Sequence, residues 1–147
     1  MKTIKNLATL LLVVFTITSS FAQTNDSKKA IVNKWVIDKE AMKPIISIML
    51  ATNPQFAALD EASKASTLNM VMEQVSALKV EYKADGVMLR TDPTGDVAGT
   101  WSLSDDGKEL TTKSEGKPDK KYSVLALTTT KLSLMSPDGK NIILKTE

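Results

Sequence analysis

From residue 78 to residue 147 the chain is written in short runs that alternate apolar and polar positions, separated by turn residues. In one run Val97, Gly99, Trp101 and Leu103 fall on one side, and Ala98, Thr100 and Ser102 on the other. A period of two sends successive side chains to opposite faces of a strand, so one face looks inward and one is wet. The punctuation is Asp85-Gly86, Thr94-Gly95, Asp106-Gly107, Glu115-Gly116 and Asp138-Gly139, spaced 9, 12, 9 and 23 residues apart, with Thr128-Thr129-Thr130 dividing the last gap. Glycine supplies the positive φ of tight hairpins. The spacing therefore predicts an antiparallel meander with strands near 78–84, 87–91, 97–103, 108–114, 120–127, 131–136 and 140–146. Residues 31–38 (IVNKWVID), rich in β-branched and aromatic side chains, add an eighth strand at the front.

Between that first strand and the meander the period changes. Met42, Ile45, Ile46, Met49 and Leu50 recur at three- and four-residue intervals, which predicts a helix capped by Asp38, with Pro44 in or near its first turns. Thr52-Asn53-Pro54 breaks it, and Pro54 suits the first position of the next helix. A second helical region, in one or two pieces, runs through Phe56, Leu59, Leu68, Val71, Met72 and Val75. The insert so defined covers residues 39–76 as one helix–turn–helix unit. Residues 23–30 are polar and aperiodic and are expected to form a disordered lead-in.

Eight consecutive antiparallel strands can close on themselves and remove both exposed edges. The expected fold class is thus mainly β: an eight-stranded up-and-down barrel or near-barrel with a helical insert between strands one and two, occupying 31–147. Alternation fixes faces but not closure, so a sandwich or an incompletely closed sheet is the alternative architecture.

The start of the chain carries a different signal. Lys2 and Lys5 precede an apolar run from Leu7 to Ile17, and Ser20 and Ala22 occupy the small positions before a cut at Gln23. This is a secretory leader over 1–22, too short in its apolar part to span a bilayer. It predicts export to the periplasm or the extracellular space, with no membrane span after cleavage. Cutting there leaves 17 basic against 17 acidic residues, a balance that disfavours nucleic acid as a partner. The chain has no cysteine, so it carries neither a lipidation site nor a disulfide, and about 125 residues suffice for one ordinary core.

Composition also narrows the chemistry. With no histidine and no cysteine there is no imidazole base, no Ser-His-Asp triad and no thiolate nucleophile or metal ligand. No glycine-rich phosphate loop precedes a helix. Asp105, Asp106 and Glu109 cluster in one hairpin, but aspartate there makes turns by bonding its own backbone. Asp85, Asp92 and Asp96 read the same way, and their spacing does not fit a calcium loop. The reading is non-enzymatic, with no cofactor and no metal.

Asn33-Lys34-Trp35 resembles the Gly-x-Trp that opens the first strand of lipocalins. Asparagine replaces the family's glycine there and is among the residues that best tolerate a left-handed backbone. Lys83-Ala84-Asp85-Gly86, followed by the run from Gly99 to Gly107, is similar to the repeated hairpins of lipocalin-like domains in small exported bacterial proteins. The likeness extends over most of residues 31–145, and in position the insert is similar to the helical lid of fatty-acid-binding proteins. The resemblance implies a binding module for a small apolar molecule.

An eight-stranded barrel is just wide enough to fill with side chains or to hold one small ligand. Trp35, Trp101, Val80, Tyr82, Leu110, Tyr122, Val124, Leu132, Leu134, Ile142 and Leu144 fall on the inward faces. If the insert lids a pocket, the ligand lies between Met42, Ile46 and Met49 of the insert and Trp35, Tyr82 and Trp101 of the barrel. Strands this short favour a mostly filled interior. The alternative function is therefore a protein–protein interaction module with a filled barrel and no internal ligand.

Overall fold

The computed structural model describes residues 26–147. The leader expected over 1–22, and the first residues of the lead-in, lie outside the described residues. Eight antiparallel strands follow: β1 (Lys34–Ile37), β2 (Lys79–Tyr82), β3 (Val87–Asp92), β4 (Gly95–Leu103), β5 (Glu109–Ser114), β6 (Lys120–Leu127), β7 (Lys131–Met135) and β8 (Asn141–Thr146). Each pairs with the next, and β8 returns to β1 with Trp35 opposite Thr146 and Ile37 opposite Leu144, so the barrel is closed. Closure decides between the architectures that alternation left open. It satisfies the backbone groups that an open sheet would leave at two edges.

The alternation places the core as expected. Trp35, Leu110 and Leu132 are fully buried, and Val80, Tyr82, Met88, Leu103, Leu134 and Leu144 nearly so. Gly99 marks the tightest approach between strands: a Cβ there would lie 2.1 Å from the Lys113 carbonyl oxygen on β5. No side chain larger than hydrogen fits without moving β4 from β5. Asp85-Gly86 forms the β2–β3 turn as read, with Gly86 at φ 84° and the Asp85 carboxylate accepting from the Val87 N–H at 3.0 Å.

The insert consists of α2 (Lys39–Ala51), α3 (Pro54–Ala57) and α4 (Glu61–Ser76), after a helix α1 over residues 26–31. Asp38 caps α2, Asn53 caps α3 with Pro54 at its first position, and Asp60 caps α4. Pro44 sits inside α2, where it removes the bond its N–H would give to Glu40. The helix survives because its buried side, Met42 and Ile46, is packed into the core, with α4 and β8 against it. Among the described residues no helix is long and apolar enough to cross a membrane.

One expectation is corrected here. Residues 26–30 are not a disordered lead-in but belong to α1, and the first strand starts at Lys34 rather than Ile31. A single anchor residue does this: Ile31 is fully buried, and its carbonyl accepts the Trp35 indole N–H at 2.8 Å. Tertiary contact at one end of a short segment overrides a polar, aperiodic sequence.

Candidate functional site

The strand order gives the barrel two different ends. At one lie the starts of β1, β3, β5 and β7, with α1 lying over them: Ser27 packs against Gly107 in the β4–β5 turn, and Lys28 is 3.9 Å from Asp105 in that turn. Trp101 completes this end. Its indole N–H donates to the Lys83 carbonyl at 2.9 Å, and its ring meets Tyr82 edge-on with centroids 5.5 Å apart.

At the other end the insert covers one side only, α2 packing on β8 and α4 on β1. Beyond the end of β1, the Ile143 N–H of β8 has no strand partner and donates instead to the Met42 sulfur at 3.3 Å. The remaining side of this end opens into the barrel. Between Leu78 and the β5–β6 loop at Lys117 and Pro118 lies a cavity of about 70 Å³. Val80, Met88, Leu134 and Leu144 form its apolar floor and walls, while Tyr82, Arg90, Thr112 and Tyr122 supply polar groups.

Arg90 is the unusual member. It shares the inward face of β3 with the buried Met88, while Leu89 between them points out. Its Nη2 lies 3.0 Å from Asp92, and its buried Nε has no hydrogen-bond partner among the described residues. Burial pushes the Tyr82 phenol well above its ordinary range, with the neighbouring Tyr122 adding to the shift and Arg90 opposing it. Burial also raises the half-buried Tyr122, and there too the Arg90 charge works against it.

The expected ligand set does not converge. Trp35 and Tyr82 are core, Trp101 belongs to the end covered by α1, and Met42 and Ile46 are buried where the insert meets the barrel. Met49 is 47% exposed and faces away from any cavity with Trp35, Tyr82 or Trp101. The insert is thus packed flush, and no residue of 39–76 lines the interior cavity. Of the six, Tyr82 alone reaches it. The residues that sequence reasoning passed over are Met88, Arg90, Thr112, Lys117 and Lys120. One signal was available: Arg90 is the single arginine beside 18 lysines, and the period of two puts it inward with Met88.

No protein-family model matches the chain, and no curated protein matches it. Among solved structures, the crystal structure of a DUF4847 family protein from Bacteroides vulgatus is similar. The match has a TM-score of 0.52 at 14% identity and covers 79% of this chain and 92% of that one. At that identity the likeness concerns the fold alone. It agrees with the closed barrel and is silent on the cavity.

The carboxylates weighed earlier do turn work. Asp106 accepts from the Ser104 hydroxyl and the Lys108 N–H, which hold its carboxyl below the usual range. Asp92 does the same for Thr94.

Proposed function

We propose that this chain is an exported, non-enzymatic, lipocalin-like binding module that takes a small molecule with an apolar part into the barrel. The observation that carries this reading is the asymmetry of the ends: one is covered by α1 and Trp101, the other keeps an accessible cavity with apolar walls. Export rests on the charged start, apolar run and small residues of 1–22. Size limits the ligand. A cavity of about 70 Å³ is roughly half of the ~150 Å³ that accepts benzene, so a few carbons fill it. Anything larger must extend through the mouth, because ordinary ligand clefts run to ~300–1,000 Å³.

The test is native mass spectrometry of protein recovered from the exporting cell without refolding, paired with thermal shifts against short aliphatic alcohols and acids. The expected result is a chain starting at Gln23 and a melting temperature that climbs with ligand concentration, since a ligand bound only by the folded state adds stability. Replacing Leu134 by Phe fills the cavity and should abolish the climb. No shift with any compound, and no co-purified mass, sinks the reading.

A second reading, a protein–protein interaction module, is favoured by Ile48, Met49 and Met70, which the insert leaves 70%, 47% and 59% exposed. Large exposed apolar side chains mark interaction surfaces when they form a patch. If thermal shifts are silent and a discrete partner is captured by the wild type but not by Ile48→Lys, this reading replaces the first.

A further inference from the structure

We infer that the open end of the barrel is a carboxylate site, in which Arg90, with Lys117 and Lys120 at the rim, receives the charged end of a short aliphatic acid. The inference rests on the binding reading above and adds the chemistry of the ligand's polar end. Three observations converge on it.

The first is the placement of Arg90. Every other basic position in the chain is lysine, yet the one that points into the barrel is arginine. Arginine cannot shed its charge on burial and offers a planar set of donors suited to carboxylates. The second is its unsatisfied Nε. A buried donor without an acceptor costs about 1–3 kcal/mol, more when charged. Asp92 takes Nη2 and leaves the buried Nε–H without an acceptor among the described residues. The third is the charge around the cavity. Arg90, Lys117 and Lys120 line it, and no carboxylate does. Neither lysine has an ion-pair partner among the described residues. The acids at this end lie outside that lining: Asp92 is paired with Arg90, Asp138 with Lys140 at 2.6 Å, and, in the loop that carries Lys117, Asp119 is paired with Lys113 at 2.9 Å beside Glu115. An entering anion therefore meets a lining with basic groups and no carboxylate, in a site partly screened from water, where each hydrogen bond to charge is strong.

The cavity then selects the tail. Below Arg90 the walls are Val80, Met88, Leu134 and Leu144, with room for a few methylene groups. A monocarboxylate of about four carbons puts its tail in this floor and its charge at Nε, with Thr112 as a further donor.

Because Arg90 is the sole arginine, its side-chain ¹⁵Nε–¹Hε resonance is a unique probe. We would titrate the full mature protein with butyrate, with 1-butanol as a neutral counterpart, and with inorganic phosphate, at constant ionic strength. Methyl signals of Val80, Met88, Leu134 and Leu144 report the cavity. Butyrate should shift both the Nε resonance and the methyls, saturably. Butanol should shift the methyls alone, about tenfold or more weakly, as expected for losing a hydrogen bond to a charged group. Arg90→Met should reduce butyrate to the level of butanol, and Arg90→Lys, which keeps charge but not the planar donors, should recover little of the loss.

Equal methyl shifts from butyrate and butanol with Nε unmoved overturn the carboxylate site while the binding reading stands. Phosphate moving Nε while butyrate leaves the methyls untouched overturns it as well, in favour of a plain anion site. Methyls unmoved by butyrate and butanol, with Nε silent, remove both readings together.

Discussion

The two ends of this barrel solve the same closure problem with opposite materials. At the end under α1, two tryptophans fill the space, and each indole N–H finds a backbone carbonyl, Ile31 for Trp35 and Lys83 for Trp101. At the other end an arginine enters the barrel with one donor unmatched, beside a cavity and a rim of lysines. Satisfied polar groups around large apolar side chains are what a stability element needs. An unsatisfied buried donor costs stability, so the open end lacks the satisfied packing that holds the covered one.

The sharpest way to break this comparison is to empty the covered end. Trp35→Ala should cost about 3–5 kcal/mol, because Trp35 is fully buried and its removal also strands the Ile31 carbonyl. Urea melts read it directly. A loss under ~1 kcal/mol would mean that α1 and its anchor contribute nothing to closing the barrel.

Alkaline melts give an intermediate effect. The buried Tyr82 phenol is held above its ordinary value, whereas in the unfolded chain a tyrosine ionises near pH 10. The stability tied to keeping it neutral is complete below that unfolded value and is lost as pH climbs toward the folded one. The slope from this group approaches about 1.4 kcal/mol per pH unit at most. Tyr82→Phe should flatten the decline above pH 10, and an unchanged slope in the variant would place the alkaline sensitivity elsewhere.

The smallest effect is expected at the open end. Arg90→Met removes a buried unsatisfied donor and leaves Asp92 still accepting from Thr94, so stability should change by less than about 1 kcal/mol. The same melts check it. A loss as large as that of Trp35→Ala would make Arg90 a structural pillar and erase the contrast between the ends.

Much of this molecule was legible before folding. Periodicity alone located the strands to within a few residues: β6 runs over Lys120–Leu127 as read, and the insert ends at Ser76 as read. Inward faces were legible for the same reason, since alternation assigns every second side chain to one face. What failed was the meeting of elements. Met42 and Ile46 were expected over a pocket and instead are buried in the core, Met42 against β8, because a helix face and a sheet edge that both lack partners close on each other. Met49, on the far side of the same helix, is left outside.

Local pattern therefore determined the strands, their facing, the cap at Asp38, the break at Asn53-Pro54, and the turns at Asp-Gly. Those features depend on residues within a few positions of each other, and one chain carries that information openly. Closure of β8 on β1, the docking of α1, and the cavity at Arg90 depend on residues far apart in the chain. The unmet Nε of Arg90 exists only once the barrel has closed and buried it. A single side chain's unmet donor is a property of its neighbours, and only the tertiary structure supplies them.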